Sequence, residues 1–180
     1  MLRELGAEVL DADEAAHAVY APGSPGFDAV VREFGTEYVR DGSIDRARLG
    51  QLVFNDATAR QRLNAIVHPL VREWMAARTA EAAQRDARAV VVQEVPLLFE
   101  NGLQRLYEQV VLVYVPQAVQ VERLVGRGLS EDRARAIISS QMPIEEKRPL
   151  ADHVIDNSGT EEETREQVGR IWRVMRKELV

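Results

Sequence analysis

The stretch EVLDADEAAH, residues 8–17, places two carboxylates, Asp11 and Asp13, one residue apart at the end of a short apolar run. Val9 and Leu10 read as the buried end of a strand. A side chain released past the carboxyl end of a parallel strand stands where α/β proteins bind their ligands. A carboxylate there can accept a hydrogen bond from a ligand hydroxyl and take up its proton. Strand side chains repeat with a period of two, so Asp11 and Asp13 are expected to point the same way. The alternative is structural: one of the pair caps the helix that opens near Glu14, since Asp is a favoured N-cap.

The elements that would position these carboxylates alternate along the chain. Residues 7–11, 89–95, 109–115 and 153–156 read as short strands, the first three apolar enough to be buried on both faces and parallel if the helices between them are crossovers. Between the first two strands lies a helical block, with helices expected over 24–34, 45–54, 57–67 and 69–84. Its turns are marked by APGSPG, RDGS and FND. His68-Pro69 interrupts the last pair, because proline starts a helix more readily than it continues one. Helices are also expected over 116–126 and 130–141, joined by GRGLS, and Val168, Trp172, Met175 and Leu179 stripe a final helix.

Composition sets the frame. The 180 residues suit one domain or a core with a smaller inserted lobe, and 46% hydrophobic with 29% charged residues is an ordinary globular balance. The absence of cysteine removes disulfides and thiolate metal sites. A net charge of −6 argues against general nucleic-acid affinity. No apolar run approaches the ~20 residues of a membrane span, and no signal-peptide pattern opens the chain, so a cytoplasmic location is expected. Lys147 and Lys177 are the two lysines; the remaining basic side chains are arginine, which suits bidentate phosphate contacts or follows from genomic base composition.

MLRELG reads as the last turn of a helix stopped by Gly6, with nothing ahead of it to start that helix. No G-x-x-x-x-G-K-[ST] phosphate loop occurs, nor any Gly-Lys pair. Read together, VLDADEAAHAVYAPGSPGFDAVVREFG, IVHPLVR, VVQEVPLLFENGL and the run from VVLVYVPQ to VIDNSG resemble dephospho-CoA kinase, in order and at that family's spacing from residue 2 to about 175.

The resemblance implies an α/β fold: a P-loop NTPase-type parallel sheet flanked by helices, with a helical CoA-binding lobe at 21–85. The nucleotide-kinase core would take 1–20 and 86–180, including a helical lid at about 117–150. It implies transfer of the γ-phosphoryl of ATP, with Mg²⁺, to the ribose 3′-hydroxyl of dephospho-CoA, and no nucleic-acid or membrane partner. It further implies that a strand and P-loop of roughly 20 residues would precede Met1, and that without them the chain would be a poor kinase. A nucleoside monophosphate-type kinase and a catalytically silent CoA-binding homologue are the alternatives.

By the same resemblance Asp13 is the candidate base, and Asp11 its neighbour in the acceptor site. His17, His68, Pro69, Pro96 and Glu100 are expected on the dephospho-CoA side. Arg123, Arg127, Lys147 and Arg148 would close over the nucleotide phosphates, and Asn157 would lie near the adenine. No resident metal site is expected. GRGLS is shorter than the family's usual turn, which bears on the alignment of Arg127.

Overall fold

A computed structural model describes residues 1–178. The chain divides into two compact units, one made of Met1–Ala7 with Val95–Val180, the other of Glu8–Glu94. The helical lobe expected at 21–85 falls within the second of these, which also takes in the Asp11–Asp13 turn and the strand that follows the helices.

In the Glu8–Glu94 unit, β1 (Glu8–Asp11) runs parallel to β4 (Val91–Glu94), and their register sets Asp11 opposite Glu94. Between them come α1 (Ala12–Val19), α2 (Pro25–Phe34), a hairpin of β2 (Val39–Arg40) and β3 (Ser43–Ile44), α3 (Arg46–Asn55) and α4 (Ala57–Arg85). The helix starts follow their capping residues. Ser24 accepts from the Phe27 N–H at 3.0 Å and Asp45 from the Arg48 N–H at 3.0 Å. Asp56 accepts from Thr58 and Ala59 at 2.8 and 3.0 Å. Each cap meets orphan donors of a first helical turn. The hairpin closes through Asp41 and Gly42 with φ of 51° and 75°, the paired left-handed conformation that an Asp-Gly turn adopts most readily. Gly26 is required for a different reason: a Cβ there would run into the Val19 carbonyl oxygen. Val19, Val30, Phe34, Ile44, Leu49, Ala59, Leu63 and Val67 make the core of this unit.

The helices expected over 57–67 and 69–84 are one helix. α4 runs 29 residues through Pro69, with Leu63 and Val67 buried before the proline and Met75 and Ala82 buried after it. Proline removes one hydrogen bond and crowds the preceding turn, at about 3 kcal/mol or more. Burial on both sides offsets that local cost, which motif reading alone does not weigh.

In the other unit, β5 (Val111–Tyr114) runs parallel to β6 (His153–Asp156), and Tyr114 is registered opposite Asp156. The helices are α5 (Gln117–Gly126), α6 (Glu131–Ser139), α7 (Ile144–Lys147) and α8 (Glu161–Glu178). The opening residues form a 3₁₀ turn, Arg3–Leu5, ended by Gly6 at φ 105°. Arg165 of α8 pairs with Glu4 and Glu161, tying that turn to the helix. Val168, Trp172 and Met175 are buried as the stripe predicts, and Leu179 lies outside the described residues.

Burial on both faces does not hold for the first three strands. β4 has no fully buried residue, Leu10 is the only one in β1, and Val113 in β5 is 57% exposed. Each of these strands has a single ladder partner among the described residues, which leaves one edge of each without a neighbouring strand. Apolar composition reports how much surface a strand would gain by burial, not how many neighbours it has.

Leu49 is 3% exposed in the helical core, whereas Phe54 on the same helix is 74% exposed. Leu49→Ala should therefore lower unfolding free energy by about 2–5 kcal/mol. Phe54→Ala should change it by less than about 0.5 kcal/mol. Urea titration followed by circular dichroism checks both, and equal losses would show that the core assignment is wrong.

Candidate active site

The carboxylate pair sits at the junction of β1 and α1. Asp11 is the last residue of the strand and keeps extended backbone, φ −103° and ψ 127°. Its Oδ1 accepts the Asp13 N–H at 2.7 Å, so Asp11 is the N-cap of α1. The expectation that both carboxylates follow strand alternation is corrected by this geometry. The chain is already helical at Ala12, and Asp13 belongs to the first turn of α1. The two carboxylates therefore differ in role. Asp11 satisfies the backbone, while the Asp13 carboxylate is exposed and makes no hydrogen bond or ion pair among the described residues.

His17 lies one turn further along α1, and its Nδ1 is 2.6 Å from the Asp13 carbonyl oxygen. A carbonyl only accepts, so Nδ1 carries the proton and donates, leaving Nε2 as the outward nitrogen. His68 is exposed and Pro69 half-buried in the middle of α4. Sequence reading passed over Glu94. It ends β4 beside Asp11, and the acid that closes the apolar run VVVQE was the available signal.

In the other unit, Pro96 is exposed at the head of a turn that runs through Glu100. Leu97 adopts φ 54°, a left-handed conformation unusual for a side chain of its size. It is held by Asn101, whose backbone N–H and Nδ2 both donate to the Leu97 carbonyl, at 3.1 and 2.9 Å. Phe99 is buried with Val110, Leu112 and Tyr114, Leu98 packs beside them, and Leu97 faces solvent.

Glu100 closes the turn and meets the segment around α7. Its Oε1 lies 2.7 Å from Lys147 Nζ and accepts the Met142 N–H at 3.0 Å. Desolvation pushes this carboxyl up, but the hydrogen bonds from Lys147 and from backbone N–H groups, with the ammonium charge, hold it below the usual carboxylate range.

Three of the remaining candidates, Asn157, Arg123 and Arg148, meet residues at the carboxyl ends of β5 and β6. Asn157 follows β6, and its N–H donates to the Tyr114 carbonyl at 2.8 Å. Its Oδ1 accepts from Thr164 at 3.1 Å, and its carbonyl accepts from an Arg123 terminal nitrogen at 2.6 Å. The Arg148 guanidinium carbon stands 4.7 Å from the centre of the Tyr114 ring, and a terminal nitrogen is 3.6 Å from Glu145. The Tyr114 hydroxyl donates to Glu145 at 2.6 Å, and that bond, followed by burial, raises the phenol above its usual range. Arg127 ends α5 exposed, ahead of Gly128 at φ 95°, and its side chain makes no hydrogen bond, ion pair or ring contact among the described residues. Thus Glu100 meets Lys147, Arg123 meets Asn157, and Arg148 meets Tyr114, while Arg127 stands apart. Tyr114 and Glu145 were not legible as site residues, because the tyrosine reads simply as the end of an apolar strand.

Parallel β–α units, one with carboxylates at its strand end and one with a cation-rich helical segment, have the make-up of proteins that transfer phosphoryl groups. The family model for dephospho-CoA kinase matches residues 1–163. A dephospho-CoA kinase of Geobacillus kaustophilus is 49% identical over 170 residues, 93% of this chain and 84% of that protein. One from Thermobifida fusca is 46% identical over 177 residues, 97% of this chain and 86% of that protein. The crystal structure of TT1252 from Thermus thermophilus superposes with a TM-score of 0.76 at 34% identity, covering 99% of this chain and 88% of that one. Dephospho-CoA kinase from Campylobacter jejuni gives 0.73 at 26% identity, covering 99% and 89%. The chain belongs to the dephospho-CoA kinase family.

Because Asp11 caps α1, Asp11→Ala should cost about 0.5–2 kcal/mol of stability, whereas Asp11→Asn, an equally good cap, should cost much less. Denaturant unfolding of the two variants measures the difference. Equal destabilisation would show that the carboxylate charge, and not the cap, is what the turn needs.

Proposed function

We propose that this protein transfers the γ-phosphoryl of ATP to the ribose 3′-hydroxyl of dephospho-CoA, with Asp13 as the acceptor-side carboxylate. The observation that carries the reading is the division of labour at the β1–α1 junction. Asp11 is committed to the cap, and the Asp13 carboxylate, one helical turn from His17, is left uncommitted just past the end of a parallel strand.

Phosphoryl transfer of this kind passes through a loose transition state, so the protein contributes mainly alignment and charge neutralisation. Asp13 accepts a hydrogen bond from the 3′-hydroxyl and so aims an oxygen lone pair at the γ-phosphorus. The new O–P bond forms as the bond to the β,γ-bridging oxygen breaks and ADP departs. A ribose hydroxyl is far less acidic than a carboxylic acid, so its proton passes to Asp13 late. His17 and His68 with Pro69 lie in the unit that carries Asp13 and are proposed on the CoA side, together with Pro96. Arg123, Arg127 and Arg148 neutralise phosphate charge, and Asn157 holds the adenine end.

Mg²⁺ travels with the nucleotide and takes one or two carboxylates, keeping several waters. Glu94, registered beside Asp11, and the Asp11 oxygen that the cap leaves over would be the donors these residues offer. When bound, the ion would offset the negative charge of the phosphates. The 180 residues contain no Gly-Lys pair, so a Walker-type lysine is not among the groups they supply. Among the described residues no helix is long and apolar enough to cross a membrane, and action in the cytoplasm is part of this proposal.

In the full-length protein, Asp13→Asn should lower kcat by about 10²-fold or more and leave the ATP KM within about twofold. Steady-state kinetics with dephospho-CoA as acceptor is the measurement. Turnover near the wild-type value in the variant, or faster phosphorylation of a nucleoside monophosphate than of dephospho-CoA, would overturn the reading.

A further inference from the structure

The resemblance groups Lys147 with the arginines that face the nucleotide phosphates, but its surroundings differ from theirs. Its side chain is 12% exposed and is matched by a Glu100 side chain that is 19% exposed, with 2.7 Å between Nζ and Oε1. The same Oε1 takes the Met142 N–H, and Oε2 is buried with no partner among the described residues. Lys147 is thus the ion-pair partner of a carboxylate with little other solvation. A lysine that left to meet a phosphate would strand that charge, which is strongly unfavourable for a poorly solvated group.

Arg148 is the next residue, and its side chain is 51% exposed. Successive residues of a helical turn are rotated by about 100°. With Lys147 held inward by Glu100, Arg148 is turned outward, where Tyr114 supports its guanidinium through the ring face and Glu145 bonds both the tyrosine and the arginine.

We propose that Lys147 is a positioning residue: locked to Glu100, it anchors α7 so that Arg148 presents its charge to the nucleotide phosphates, and it does not contact them itself. Glu100 is by the same reasoning the other half of the lock and not a substrate contact. The inference rests on the kinase reading for the identity of the anion, and the lock itself does not depend on it.

The test is a double-mutant cycle in the full-length protein, with Glu100→Gln, Lys147→Met and the pair combined, read by calorimetric ATP binding and by thermal unfolding. A lock requires that each single variant weaken ATP binding by a similar factor, about three- to tenfold, with the double variant no worse than the weaker-binding single. The unfolding losses should likewise fall short of their sum, because Glu100→Gln removes the charge that Lys147→Met strands. Arg148→Met should weaken ATP binding with little change in the unfolding midpoint. If Lys147→Met weakens ATP binding while Glu100→Gln leaves it at the wild-type value, Lys147 is a phosphate ligand and the proposal falls. Additive losses in unfolding would also overturn it. Failure to phosphorylate dephospho-CoA would count against the kinase reading alone, since neither readout requires turnover.

Discussion

A parallel ladder brings its strands to a close at the same edge, and in this protein the Asp11–Asp13 turn and Asn157 lie where the ladders stop. Asp11 is registered with Glu94, and Tyr114 with Asp156, each pair being the final rung of its ladder. Because neighbouring strands lie about 4.8 Å apart, the register alone brings side chains distant in sequence to one place. Asp13 follows one of these rungs and Asn157 another. A slip of one residue in either ladder would move the side chains of its last rung to the opposite face.

The turn out of a ladder needs its own chemistry. Helix starts leave backbone N–H groups unmet, and at the β1–α1 junction one carboxylate answers that need so that the next is free. The same solution recurs at Ser24, Asp45, Asp56 and Ser130, where the capping side chain has no further role in the site. α4 shows the converse. Its proline is a local misfit that the packing of Leu63 and Val67 on one side and Met75 on the other overrides.

The cations proposed for the nucleotide side face another constraint, since gathering positive charge before an anion arrives is unfavourable unless each charge is supported. Each support is distinct: a carboxylate for Lys147, the Asn157 carbonyl for Arg123, an aromatic face with a nearby carboxylate for Arg148. Arg127 has no such partner among the described residues. These supports decide how much of each charge is available to a ligand. A carboxylate pairing at 2.7 Å engages the lysine far more fully than a ring face engages the arginine.

Much of this was legible in the residues themselves. Hydrophobic period, capping residues and turn chemistry placed the four long-range parallel strands and most helices to within a residue or two, and ordered motifs carried the family. Those signals are local, and local propensity expresses itself wherever packing does not oppose it. What the sequence could not decide were outcomes set by neighbours distant in the chain. Pro69 was read as a break because a motif carries the cost of a missing hydrogen bond but not the burial that offsets it. For Asp11 and Asp13, strand alternation and a helix cap were both open readings, and the structure makes Asp11 the cap. Glu100 and Lys147, 47 positions apart in the numbering, looked like separate ligands for separate substrates. Only the tertiary structure set the carboxylate against the ammonium, because a charge pair forms where the fold makes solvation scarce, and no sequence spacing records that.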